Sequence, residues 1–212
     1  LFTSLKSSTN DFLSNSGYKT SELGFSLGTK FEQFQNIFLS PEIDFLLEDL
    51  ETSNKASDVL KKQEGSYTDL YFNYTINQDL RDRKFRTQDG YQTFFSQEVP
   101  LISDNSEFSN AFEFSKFKKL STKSDTIGKV SFFAKTITSL SDDVRISKRL
   151  NIPTNKLRGF EKGRVGPIDN NDYVGGNHVT TLNLSATLPN ILEDLDNLDL
   201  SLIHISEPTR QE

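Results

Sequence analysis

Residues 22–31 read ELGFSLGTKF. Apolar residues alternate with small or polar ones. Leu23, Phe25, Leu27 and Phe31 fall on one parity, and Gly24, Ser26, Gly28 and Lys30 on the other. A strand projects successive side chains to opposite faces, so this period of two gives a sheet one apolar and one polar side. Which of those sides meets the interior decides the fold.

The pattern recurs along the chain. Residues 36–49 set Ile37, Leu39, Ile43, Phe45 and Leu47 against Ser40, Glu42, Asp44 and Glu48. Residues 68–78 set Leu70, Phe72, Tyr74 and Ile76 against Asp69, Asn73, Thr75 and Asn77. Residues 179–189 set Leu182, Leu184, Ala186 and Leu188 against Val179, Thr181, Asn183, Ser185 and Thr187. Further strands are expected around Tyr91–Val99, Phe108–Phe117 and Gly128–Leu140, with a partial one at Leu1–Ser7. Turn formers separate them at SNSG (14–17), TQDG (87–90), SDNS (103–106) and STKSD (121–125). Residues 53–65 alone read as helical. The expected class is all-β, an antiparallel meander whose strands of about ten residues exceed the usual 5–6.

Composition narrows the options. The chain has 212 residues, a formal net charge of -6 and 34% hydrophobic residues. No apolar run approaches the roughly 18 residues of a spanning helix, but a barrel strand needs only about 9–11 alternating residues. Without cysteine there is no disulfide or thiolate metal site. The acidic balance argues against nucleic acid as a partner. Alternation alone fits two architectures. One is a soluble β-sandwich binding module with its apolar faces together. The other is a transmembrane barrel with its apolar faces outward and a wet lumen. Strand length favours the barrel.

Residues 141–177 interrupt the alternation. Unstructured loops beyond about 12–15 residues are uncommon in compact domains and are usually functional. This one holds Arg158-Gly159-Phe160, Gly163, Gly166-Pro167 and Gly175-Gly176-Asn177. Glycine and proline shape such a loop. A guanidinium that never loses its charge can tether it to carboxylates.

The ordered set Leu157-Arg158-Gly159-Phe160, Gly166-Pro167 and Gly175-Gly176-Asn177 resembles the signature of the BamA family of outer-membrane assembly barrels. Leu27, Gly28 and Glu32 resemble a strand-turn-strand motif of that family. Phe85, Thr87, Asp89 and Gly90 resemble one of its turns. The resemblance runs from about Leu23 to Pro189. It implies about 8–10 strands of a barrel of about 16 behind POTRA domains. The implied location is the outer membrane of a Gram-negative type cell. The implied activity is the folding and insertion of unfolded β-barrel clients. Outer-membrane lipid and accessory lipoproteins are the other implied partners. A TamA-like or two-partner-secretion translocation pore is the related alternative. The resemblance also implies that Arg158 is the tether, with Gly159 permitting a tight turn, Phe160 packing beside it, and Gly166, Pro167, Gly175 and Gly176 shaping the loop. Two positions depart from the family. Leu157 replaces a valine, and Ser185 stands where a lumen-facing glutamate is common, so Ser185 is only a neutral wall partner for Arg158.

No enzyme, cofactor or metal site is expected. Neither a glycine-rich phosphate loop nor a Ser/His/Asp set stands out. Glu42, Asp44 and Glu48 share a strand face and are expected to line the lumen. His178 is expected there too. The chain reads as a barrel piece over residues 1–200. Residues 201–212, SLIHISEPTRQE, resemble a translated sequencing adapter and are expected to be a non-native tail that includes His204.

Overall fold

The computed structural model describes residues 1–14, 16–121, 126–141, 143–161, 163–188 and 200–205, with backbone alone for 188 and 200–205. Every stretch with the two-residue period is a strand. The elements are β1 (Phe2–Phe12), β2 (Tyr18–Gly28), β3 (Phe31–Phe34), β4 (Ile37–Thr52), α1 (Asp58–Lys61), β5 (Gly65–Asp79), β6 (Asp89–Ser103), β7 (Glu107–Lys119), β8 (Ile127–Ser139), β9 (Ile168–Asp169), β10 (Asp172–Tyr173), β11 (His178–Leu188) and β12 (Leu200–Ile205). The helix is one turn within the segment read as helical. It starts where the Ser57 hydroxyl accepts the Leu60 N–H at 3.3 Å.

Ten strands form one open antiparallel sheet in the order β1-β2-β4-β5-β6-β7-β8-β11-β12, with β3 paired to β4. Each long strand follows its neighbour in sequence, as a meander requires. The family-like motifs sit at turns. The Glu32 carboxylate accepts the Asn36 N–H at 2.7 Å, where Asn36 has φ of 63°. A Cβ on Gly28 would lie 2.6 Å from the tip of the Phe2 ring and 3.0 Å from the Pro41 carbonyl oxygen, so a side chain there would have to displace Phe2. In the β5–β6 turn the Thr87 hydroxyl donates to the Arg83 carbonyl at 2.8 Å.

The faces are inverted relative to a soluble sandwich. Leu23, Phe25, Leu27, Ile43, Phe45, Leu47, Leu182 and Leu184 are all exposed. Thr20, Glu48, Asp69, Glu107, Ser109, Ser115, Ser131 and Thr181 are buried on the other face. Among the described residues no second layer covers the apolar side. A sandwich would pack those faces together about 10 Å apart. Apolar side chains outward and polar ones inward is the arrangement of a transmembrane barrel.

Strand tilt agrees. Cross-strand partners run Pro41–Tyr74, Tyr74–Gln97, Gln97–Asn110, Asn110–Thr136 and Thr136–His178. Pro41 lies mid-way along the outward apolar run of β4, whereas His178 only begins β11. The middle of the apolar run on β11 is Leu184, six residues further on. Six residues are about 20 Å and five strand steps about 24 Å, so the apolar belt runs about 40° away from the perpendicular to the strands. Barrel strands tilt by about 35–45°. The belt is therefore level in a bilayer when the strands tilt as those of a barrel wall do.

The two longest connections, residues 53–64 and 140–177, lie at the same end. Ser201–Ile205 pairs along β11 from Thr187 to Asn183, and residues 206–212 lie outside the described residues.

Candidate functional site

The loop after β8 folds onto the inner wall through alternate residues. Val144 joins Ile137, Leu150 and Val179 in one apolar cluster. Ile146 joins Tyr18, Leu50, Ala56, Leu60 and Val174 in another. Arg145, between them in extended backbone, points the opposite way and has no exposed side chain. A buried charge is tolerated only when paired.

Arg145 is paired three times. Its Nη1 donates to Glu48 Oε2 at 3.0 Å. Its Nη2 donates to Asp69 Oδ2 at 2.8 Å and to Glu107 Oε2 at 3.2 Å. Its backbone N–H donates to Glu107 Oε1 at 3.0 Å. The guanidinium carbon lies 4.0 Å from the centre of the Tyr67 ring. The three acids come from β4, β5 and β7, so one side chain joins the loop to three strands. Burial alone would lower the Arg145 pKa. Glu107, Glu48 and Asp69 outweigh it and raise the pKa above its ordinary value. The group is permanently charged.

Two of the acids are themselves held. Ser103 Oγ donates to Asp69 at 2.6 Å, Asn105 Nδ2 to Glu107 at 3.0 Å, and the Tyr71 hydroxyl to Glu107 at 3.3 Å. Their fixed positions match the planar fork of arginine, which a lysine point charge cannot reproduce. One guanidinium among three carboxylates leaves negative charge in excess. Lys148 offsets part of it from 5.0 Å above the Tyr71 ring.

The remainder of the loop has structure of its own. Leu150 and Gly176 exchange backbone hydrogen bonds at 2.8 and 2.9 Å. At Gly175, φ is 70° and a Cβ would sit 2.9 Å from the Leu150 carbonyl oxygen. Lys156 pairs with Glu113 of β7 and lies over the Phe133 ring. The β9–β10 hairpin turns at Asn170 and Asn171, both with positive φ. It docks on the other long connection, where Ser57 Oγ donates to Asp169 at 2.5 Å and Asn170 Nδ2 to the Lys55 carbonyl at 3.0 Å. The Ile146 N–H donates to Gln63 at 2.8 Å. The two long connections thus interlock.

The motif residues occupy this frame unequally. Leu157 is buried, whereas Arg158, Gly159 and Phe160 are exposed. Arg158 makes no ion pair among the described residues. Gly159 has φ of 83° and Gly166 of 142°, so both are turn positions. The Pro167 carbonyl accepts the Val174 N–H at 3.1 Å, and the Asn177 carbonyl accepts the Ile137 N–H at 2.8 Å. Ser185 is half-buried on the inward parity, opposite Lys129 and Ile203, and no contact joins it to Arg158. His178 does not line the lumen. It begins β11 on the outward parity of Leu182 and Leu184 and is exposed. Glu48, expected only as lumen lining, is a ligand of Arg145. No sequence motif marked Arg145. The one signal was a charged residue between two apolar ones inside a loop.

An inside-out, tilted sheet with a long loop pinned to its polar face restricts the family sharply. The chain belongs to the Omp85 superfamily. The superfamily domain matches residues 1–202. No curated protein matches the chain. Among solved structures it is similar to "The crystal structure of BamA from Haemophilus ducreyi lacking POTRA domains 1-3", with a TM-score of 0.73 and 17% identity. That match covers 88% of this chain and 42% of the other, so this Omp85 chain spans less than half of that relative. The fold is a BamA-like barrel sheet, left open by the strands described.

Proposed function

We propose that this Omp85 chain forms part of the barrel of an outer-membrane factor that folds and inserts β-barrel clients, without enzymatic chemistry. One observation carries the reading. The long loop is fixed inside the wall by a buried guanidinium bridging three strands, while the outer surface is an apolar belt. A fixed inner loop stiffens one stretch of wall without filling the membrane face, which leaves that face to meet lipid and incoming strands. Superfamily membership supports insertion or translocation across an outer membrane.

In this reading Arg145 is the structural anchor, and Arg158 is a second, exposed contact. Its guanidinium is available to a carboxylate on a client or on wall outside the described residues, with Gly159 and Phe160 setting its turn. POTRA domains and lipoproteins are the proposed accessory partners, and a Gram-negative type outer membrane the proposed site.

The test uses the full-length protein. In detergent, unheated and heated samples should migrate differently on a gel, as a folded membrane barrel does. Depletion in the native cell should lower the levels of several unrelated outer-membrane barrels. Loss of one secreted protein, with barrel levels unchanged, would assign the chain to the translocation branch instead.

A further inference from the structure

A cluster of basic residues lies where the lipid belt ends, at the sheet end opposite the pinned loop. On β7 the outward apolar run stops at Phe112 and Phe114, and the next two outward residues are Lys116 and Lys118. Across the ladder Lys116 faces Tyr91, whose ring lies 6.0 Å from that of Phe114. Beside them is the β5–β6 turn, with Arg83, Lys84, Phe85 and Arg86 all exposed. Phe85 is 80% exposed, with the Arg86 guanidinium 6.0 Å from its ring centre.

Charge at this rim is opposite to that of the whole. Residues 79–89 and 116–119 carry seven basic and three acidic side chains, in a chain of net charge -6. The three acids are each engaged: Asp79 with Arg81, Asp82 with Arg83, and Asp89 with Lys118. Lys84 and Lys116 are exposed and meet no carboxylate among the described residues. The turn presenting them is ordered. Asp82 Oδ1 accepts the N–H groups of Gln88 and Asp89 at 2.9 and 3.2 Å. A Cβ on Gly90 would lie 2.2 Å from the Leu80 carbonyl oxygen, so only glycine lets the turn close so tightly.

We propose that this rim binds the headgroup of an anionic phospholipid. The inference rests on the outward face meeting lipid, and it adds a defined ligand class to that face. Three features select the occupant. The cations continue directly from the apolar belt, so the ligand has acyl chains beside its charge. Tyr91 and Phe85 are aromatic at the depth where aromatic side chains favour the interface. The net positive charge selects a phosphate that is not offset by an amine. The end opposite the longest loops faces the periplasm in outer-membrane barrels, and the rim lies opposite residues 53–64 and 140–177, so the lipid is a glycerophospholipid of the inner leaflet.

The experiment is native mass spectrometry of the full-length protein, released from vesicles of equal parts phosphatidylcholine and phosphatidylglycerol. Retained lipid should be enriched in phosphatidylglycerol. The double variant Lys84→Gln, Lys116→Gln should lower that enrichment at least about fivefold, because it removes two of the cations that face the anionic headgroup. The control Lys55→Gln, Lys61→Gln, at the opposite end, should leave it unchanged. Inorganic phosphate at the lipid's concentration should not displace the lipid. Equal retention of both lipids, an unaffected double variant, or displacement by phosphate would each overturn the proposal. Heat-dependent gel mobility is read on the same samples. A mobility shift without lipid preference removes this inference and keeps the barrel, whereas absence of the shift removes the barrel reading itself.

Discussion

Replacing Arg145 with alanine should free the long loop from the wall. The substitution leaves Glu48, Asp69 and Glu107 without their cation, and all three side chains have no exposed surface. Removing one partner of a buried ion pair costs about 3–5 kcal/mol, mostly because the remaining charge is unpaired. The lost stacking on Tyr67 adds up to about 2 kcal/mol. Docking weakened by about 3–5 kcal/mol raises the population of the undocked loop by roughly two to four orders of magnitude. Trypsin cleavage after Arg149 and Lys156 reads that population, because both side chains are largely covered in the docked loop, whereas the exposed Arg158 and Arg164 are not protected. When opening and closing are faster than cleavage, the cleavage rate follows the open fraction. Full-length Arg145→Ala in detergent should therefore be cut in the loop at least about a hundredfold faster than the parent. Arg145→Lys should fall between, since an ammonium cannot reach three fixed carboxylates at once. Adding Glu48→Gln, Asp69→Asn and Glu107→Gln to Arg145→Ala should recover much of the protection, because no buried charge then remains. Parental cleavage rates in Arg145→Ala would refute the anchor. Failure of the neutralised variant to recover would show that packing by Val144 and Ile146, not charge, holds the loop.

Arg158→Ala should leave cleavage after Arg149 and Lys156 unchanged yet lower client barrel levels in cells, which separates an exposed contact from the anchor. Gly175→Ala should destabilise loop docking by about 1–3 kcal/mol, since φ is 70° and the Leu150 carbonyl blocks the added carbon; a lower temperature for loss of tryptic protection checks it. Asp172, in the docked hairpin, has its pKa raised by burial and by the Asp169 carboxylate. A raised carboxylate pKa gives stability that is complete below the ordinary aspartate value and is lost as pH rises through the raised one. Hydrogen exchange of residues 168–173 should accordingly quicken across that window, and Asp172→Asn should abolish the dependence. Phe45→Arg, on the outward belt, should lower barrel stability by about 2–4 kcal/mol if that face meets mid-bilayer, whereas an unchanged unfolding midpoint in lipid would place the face in water.

Local periodicity determined most of the fold. Leu23, Phe25 and Leu27 against Gly24, Ser26 and Gly28 require a strand whatever surrounds them, and the turn motif through Thr87 and Asp89 is equally local. The ordered glycines and Pro167 likewise marked a shaped loop, because positive φ at Gly159 and Gly175 is a property of single residues.

Tertiary structure decided the rest. Alternation is symmetric between inside and outside, so the outward position of Phe45 and the inward one of Glu48 became visible only with the sheet assembled. Belt tilt appears only when the register from Pro41 to His178 is traced across six strands. The anchor is the clearest case. Arg145 meets Glu48, Asp69 and Glu107 across separations of 97, 76 and 38 residues. A buried charge is defined by those distant partners, and no local pattern around Arg145 encodes them. Arg158 carried the recognisable motif, but burial went to the arginine that the wall could neutralise.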